Sequence, residues 1–192
     1  MKRILCILSL AAAVVALSAC GGSTSGKGAK GVKGIMVSLD ELDDYFTVKS
    51  CSIESNAEQV GIDNLKNVKG TVTIVLKRNN QEMKYKPSDV EDAQFKGDAS
   101  SSYYAVFHGD CEAAIKKILK MEPGSEETLA LGFKVEDPYY QFRSDEENQS
   151  NRQNIYDALT TPGGLDQVLF DITFSGELEE LRRAIKDLMD DD

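Results

Sequence analysis

Tryptophan is absent from the 192 residues, histidine occurs once, and proline occurs four times. A single histidine, His108, rules out zinc sites built from several His and Cys ligands. Of the four cysteines, Cys6 and Cys20 lie in the first 20 residues, which leaves Cys51 and Cys111 for the rest of the chain. Neither belongs to a Cys-x-x-Cys pair that would lower a thiol pKa for redox work. Basic residues are outnumbered 22 to 32, for a net charge of −10. That deficit argues against nucleic acid, whose phosphates need a Lys/Arg surface to displace their counterions. No apolar run reaches the roughly 20 residues needed to span a bilayer. Gly-x-Ser-x-Gly elbows and phosphate-cradling glycine loops are missing too, so the chain is expected to be non-enzymatic and to carry no cofactor or metal.

What is present divides into three parts. Lys2 and Arg3 precede ILCILSLAAAVVAL at residues 4–17. A basic start, a short apolar stretch and small residues at its end describe a secretory signal peptide, here residues 1–19. Its last residues, Leu17-Ser18-Ala19-Cys20, resemble the lipobox of bacterial lipoproteins. The resemblance covers only these first 20 residues. It implies a diacylglycerol on the Cys20 sulfur, cleavage just before it, and membrane attachment through lipid. The alternatives are ordinary cleavage after Ala19 and a retained membrane anchor. With Gly21 rather than Asp after the cysteine, the same family habit implies the outer membrane. The lack of an acidic patch there favours its periplasmic side over the cell surface.

Residues 20–34 read as a flexible tether: positions 21–34 hold six glycines, two serines and one threonine without apolar periodicity. Lys27, Lys30 and Lys33 either approach anionic headgroups or simply keep the tether soluble. Loss of residues 1–19 would make the chain two charges more negative, so an acidic domain would hang on a basic stalk.

Residues 35–192 carry strand-like alternation. YFTVKSCSIES (45–55), VKGTVTIVLKRN (68–79), EMKYK (82–86), SSYYAVFHG (101–109) and QVLFDITFSG (167–176) are the candidates. In "KKILKMEPGSEETLALGFKVED" (116–137), Leu129, Leu131, Phe133 and Val135 alternate after a Pro123-Gly124 turn. This strand, Pro-Gly turn, strand arrangement resembles bacterial envelope immunoglobulin-like sandwiches, which implies a mostly non-catalytic domain. The expected fold is mainly β: an antiparallel immunoglobulin-like sandwich of about seven strands with one or two peripheral helices. Residues 112–119 fit helix or strand. Ser144 and Glu147 form a capping box before a helix carrying Ile155, Tyr156 and Leu159. ELEELRRAIKDLM after Gly176 spaces Leu178, Leu181, Ile185 and Leu188 as a C-terminal helix packed on the sheet, which predicts a monomer.

Chemistry is sparse. Cys51 and Cys111 in an exported chain are a natural disulfide pair; buried free thiols are the alternative. His108 with Ser102 and Asp110 could form a nucleophile–base–acid set, or His108 could be a strand-end histidine in a Gly-Asp turn. Acidic clusters at 40–44, 145–147 and 190–192 lack the spacing of a calcium loop and read as solvated faces and a tail. Tyr103-Tyr104 and Tyr139-Tyr140 with Phe142 give the one binding signal. Adjacent tyrosines on a strand would place one ring of each pair outward, where it could anchor a protein partner or stack on a glycan; plain surface or core tyrosines are the alternative. The leading expectation is a lipid-anchored envelope protein that binds or supports another envelope protein. A carbohydrate- or small-ligand-binding lipoprotein comes next, and a hydrolase with an unrecognised carboxylate site last.

Overall fold

The computed structural model describes residues 29–30, 34–136 and 144–176. Cys20, Tyr139, Tyr140, Phe142, the signal segment and the expected C-terminal helix lie outside these residues. Among the described residues eight strands follow one another: β1 (Ala29–Lys30), β2 (Met36–Ser38), β3 (Phe46–Ser55), β4 (Lys69–Arg78), β5 (Val90–Asp98), β6 (Phe107–Asp110), β7 (Glu126–Lys134) and β8 (Gln167–Phe174). Among them lie α1 (Ala57–Val60), α2 (Glu112–Ile118) and α3 (Asp145–Thr160). The mainly β class with peripheral helices is therefore the observed one.

The strands form one sheet in the order β1-β2-β8-β5-β6-β7-β4-β3. The sheet is mixed, where an antiparallel one was expected, because β2 runs parallel to β8. A parallel pair needs a long crossover, and here nearly the whole domain lies between the two strands. The sheet curls until β1 approaches β3, so one strongly coiled sheet encloses the core where two facing sheets were expected.

Strict alternation built the strands that the sequence announced. Val72, Ile74 and Leu76 on β4 are fully buried, and Leu129, Leu131 and Phe133 on β7 join them. The β4–β7 ladder places Val72 opposite Leu131 and Ile74 opposite Leu129. β8 adds Val168, Phe170, Ile172 and Phe174 to the same core. Phe107 stacks on Phe133 with ring centroids 4.1 Å apart. Gly97 makes room for this packing, since a Cβ there would sit 2.2 Å from the Phe107 ring.

Three expected elements changed. EMKYK (82–86) is not a strand: Pro87 removes a backbone donor, and the Lys86 N–H is taken by Asp89 at 2.8 Å. The alternation of Tyr85 has another origin, because its ring stacks on Phe174 at 4.0 Å and covers the end of the core. The strand in this region is β5, whose small Ala93 and Gly97 and whose irregularity between Val90 and Asp92 hide its period. In SSYYAVFHG only Phe107 onward is strand; residues 101–106 form a turn, with the Ser102 N–H on the Ala99 carbonyl at 2.9 Å. Residues 112–119, open between helix and strand, hold α2, so a helix precedes the Pro-Gly turn where the immunoglobulin-like resemblance implied a strand; Ile115 and Ile118 are buried at helical spacing. The turn itself stands, with Gly124 at φ 82°. The capping box of α3 also forms, as Ser144 accepts the Glu147 N–H and the Glu147 side chain reaches back to the Ser144 N–H.

Candidate functional site

The expected tyrosine pair sits on the loop between β5 and β6. Tyr103 and Tyr104 are 54% and 43% exposed, the two large apolar side chains so exposed among the described residues. Because the segment is a turn rather than a strand, both rings face outward, where alternation would have exposed only one. The loop is held firmly from below. Asn151 on α3 is fully buried, and its Oδ1 accepts the Tyr103 N–H at 3.0 Å. The Ser102 hydroxyl lies 2.7 Å from the Tyr104 carbonyl and 3.2 Å from the same Asn151 oxygen. Asn154 Nδ2 donates to the Ser101 carbonyl at 2.5 Å, and Asp166 accepts the Ser100 N–H at 2.5 Å. The buried asparagines explain why the apolar period of α3 was faint: Asn148 and Asn151 share its inner face with Ile155 and Ala158.

His108 does not join a catalytic set with Ser102 and Asp110. Its Nε2 lies 3.5 Å from Glu136, Ser102 is engaged with the tyrosine loop, and Asp110 belongs to a group of carboxylates. Oxygens of Asp92, Asp110 and Glu112 all lie within 4.8 Å of one another. Sequence reading missed this cluster because Asp92 reaches it only through the β5–β6 pairing, which sets Gln94 opposite Asp110. Glu112 is also paired with Lys116 one turn along α2. The cluster concentrates negative potential that draws cationic groups.

The expected Cys51–Cys111 disulfide is corrected: both are buried free thiols. Cys51 on β3 pairs with Ile74 on β4, and Ile74 pairs with Leu129 on β7. Cys111 follows β6 on the far side of β7, so two strands separate the cysteines. At about 4.8 Å per strand step this exceeds the roughly 7 Å Cα separation that a disulfide tolerates. Burial pushes the Cys51 thiol up to about 11. Burial, with the carboxylates of Asp110 and Asp92, pushes Cys111 up to about 12. Neither thiol is a nucleophile near neutral pH.

Beside the carboxylates, an open groove of about 360 Å³ runs between α2 and β7, with Ala113, Ala114, Lys117, Thr128, Ala130 and Gly132 on its walls. Lys117 Nζ lies 3.0 Å from Glu127. That hydrogen bond, with the one from the Thr128 N–H, holds the Glu127 carboxyl below its usual range. Compared with protein-family models, curated proteins and solved structures, the chain matches none of them significantly.

Proposed function

We propose that this chain is a lipid-anchored envelope protein, tethered through Cys20 to the periplasmic side of the outer membrane, whose β domain binds another envelope protein without catalysing a reaction. The observation that carries the binding role is the exposed Tyr103–Tyr104 pair on a loop clamped by buried Asn151. Tyrosine offers a large contact area at low rotamer cost. A loop already fixed by hydrogen bonds loses little further entropy when a partner docks. The anchoring role rests on the Leu17-Ser18-Ala19-Cys20 motif.

The test is crosslinking in intact cells followed by capture and mass spectrometry. A single envelope protein enriched with the native chain, and lost with Cys20→Ala or with Tyr103→Ala/Tyr104→Ala, is the expected result. Tight membrane association of Cys20→Ala would contradict the anchor, and capture unaffected by the tyrosine substitutions would contradict the binding surface. Exposed tyrosines also stack on sugars. If no partner is captured and a glycan raises the melting temperature in a tyrosine-dependent way, the surface is a carbohydrate platform.

A further inference from the structure

We propose that β1 fastens the tether to the sheet, so that the anchored domain lies close to the bilayer with its tyrosine loop turned away from the lipid. The partner is then one whose contact surface stands clear of the anchoring leaflet. This rests on the lipid-anchor reading.

Reach is set by the length of chain between the lipid and the fold. Composition alone reads residues 20–34 as free linker, and the fifteen residues from Cys20 to Ile35 extend to about 54 Å at most. The sheet begins earlier. Ala29 pairs with Val37 and Lys30 with Met36, so the chain is committed to the fold nine residues after Cys20. That length reaches about 32 Å at full extension. Gly34, at φ 87°, supplies the left-handed backbone that leads the chain back into β2.

The pairing has a physical reason. β2 is three residues long and pairs with β8 on one side, where the Met36 N–H donates to the Asp166 carbonyl at 2.9 Å. Successive residues of a strand turn their main-chain groups to opposite sides. Val37 therefore directs its N–H and C=O away from β8, toward Ala29. Val37 is fully buried, and its polar main chain needs a partner there. Two pairs alone hold weakly, but β1 also approaches β3, which gives it a second neighbour.

Strand direction then sets the orientation. Met36 stands beside Gln167 of β8, and Gln167 stands opposite Asp98 of β5. Asp98 opens the loop that carries Tyr103 and Tyr104, so Met36 marks the tyrosine end of the sheet. The opposite end holds the short 3-10 turn Asp40–Leu42. There the Tyr85 hydroxyl donates to Glu41, and the Tyr85 ring stacks on Phe174 at the close of β8. Because β1 is antiparallel to β2, the chain enters it from the Asp40–Leu42 side and runs toward the tyrosine end. That direction aims the short lead to Cys20 at the turn end, and the tyrosine loop faces the other way.

The experiment puts a fluorophore on the full lipidated chain, at Asp44→Cys beside the turn or at Tyr104→Cys. The vesicles are phosphatidylethanolamine and phosphatidylglycerol with a headgroup-linked quencher. Both positions are exposed, and the buried thiols of Cys51 and Cys111 do not compete for label. Quenching at position 44 is expected to exceed that at 104 by at least about twofold, because the ends of the eight-residue β8 lie roughly 25 Å apart. Equal quenching, or stronger quenching at 104, overturns the orientation. Ala29→Pro/Lys30→Pro removes both β1 donors. It should narrow the difference between the two labels and speed exchange of the Val37 amide by at least about tenfold. Unchanged Val37 exchange overturns the docking of β1. The label comparison on the native β1 decides the orientation even if the proline variant folds poorly. Cys20→Ala separates this idea from the anchor beneath it. If that variant is released while the two labels quench equally on the lipidated chain, the orientation falls and the anchor stands. If Cys20→Ala stays tightly on membranes, both fall.

Discussion

Arg78 is a charge buried at 3% exposure on β4. Its Nη1 donates to the Tyr45 and Asn79 carbonyls at 3.0 Å each, and its Nη2 to the Gln81 carbonyl at 2.5 Å. The guanidinium also lies 5.4 Å from the Tyr45 ring centre and 5.6 Å from that of Phe46. One planar fork thus ties the start of β3 to the end of β4, which an ammonium cannot imitate. Arg78→Met removes the guanidinium from three carbonyls, of which, among the described residues, only that of Tyr45 keeps a second donor, the Asn79 N–H at 2.8 Å. The substitution is expected to cost about 2–4 kcal/mol in urea unfolding. Arg78→Lys should recover little of it, and a loss below about 0.5 kcal/mol for either would contradict this role. The thiols give a second prediction. Both are raised above their ordinary value of 9.0, so above pH 9 the unfolded chain releases thiol protons that the folded chain keeps. The folded state then binds more protons, and stability falls as pH rises from 9 toward 11–12. Equilibrium unfolding across that range should show the decline, and Cys51→Ala/Cys111→Ala should flatten it. Rapid alkylation of the native protein at pH 8 would contradict the burial.

Element by element, the parts legible in the sequence are those with a clean period or a cap. β4, β7 and β8 alternate without fault and became strands facing one core, and the Ser144–Glu147 box opened α3 where it was expected. β5 was not legible, because Ala93 and Gly97 carry little apolar signal on its inner face. Their smallness is itself dictated by packing, since Phe107 lies over Gly97. Gly97→Ala is therefore expected to destabilise by roughly 1–3 kcal/mol through overpacking, read as a lower melting temperature. An unchanged melting temperature would contradict the contact. The candidate site was half legible. The Tyr103-Tyr104 dipeptide stood out as an aromatic pair, but nothing local revealed that a turn exposes both rings or that Asn151, 48 residues on, anchors them. The groove and its carboxylates were invisible, because they exist only where β5, β6, β7 and α2 meet.

At the scale of the molecule, a single coiled sheet carries a clamped pair of tyrosines on the loop between β5 and β6 and three carboxylates near the junction of β6 and α2. The outer strand β3 is guarded at its edge: its pairing with β4 shifts between Val48 and Ser50, placing Lys49 in the irregularity. A bulge with a lysine discourages addition of a strand at that edge. The acidic domain, at −10 for the whole chain, suits a basic partner, and its association should weaken as salt rises. Raising sodium chloride from about 0.05 to 0.5 M should therefore lower partner affinity, and an affinity independent of salt would contradict the charge argument. The most direct test of the binding role places a photo-crosslinking amino acid at Tyr104 in intact cells, with the same residue at exposed Lys66 as control. One discrete adduct with an envelope protein, formed from position 104 and not from position 66, is the result expected; no adduct, or the same adducts from both positions, would contradict it.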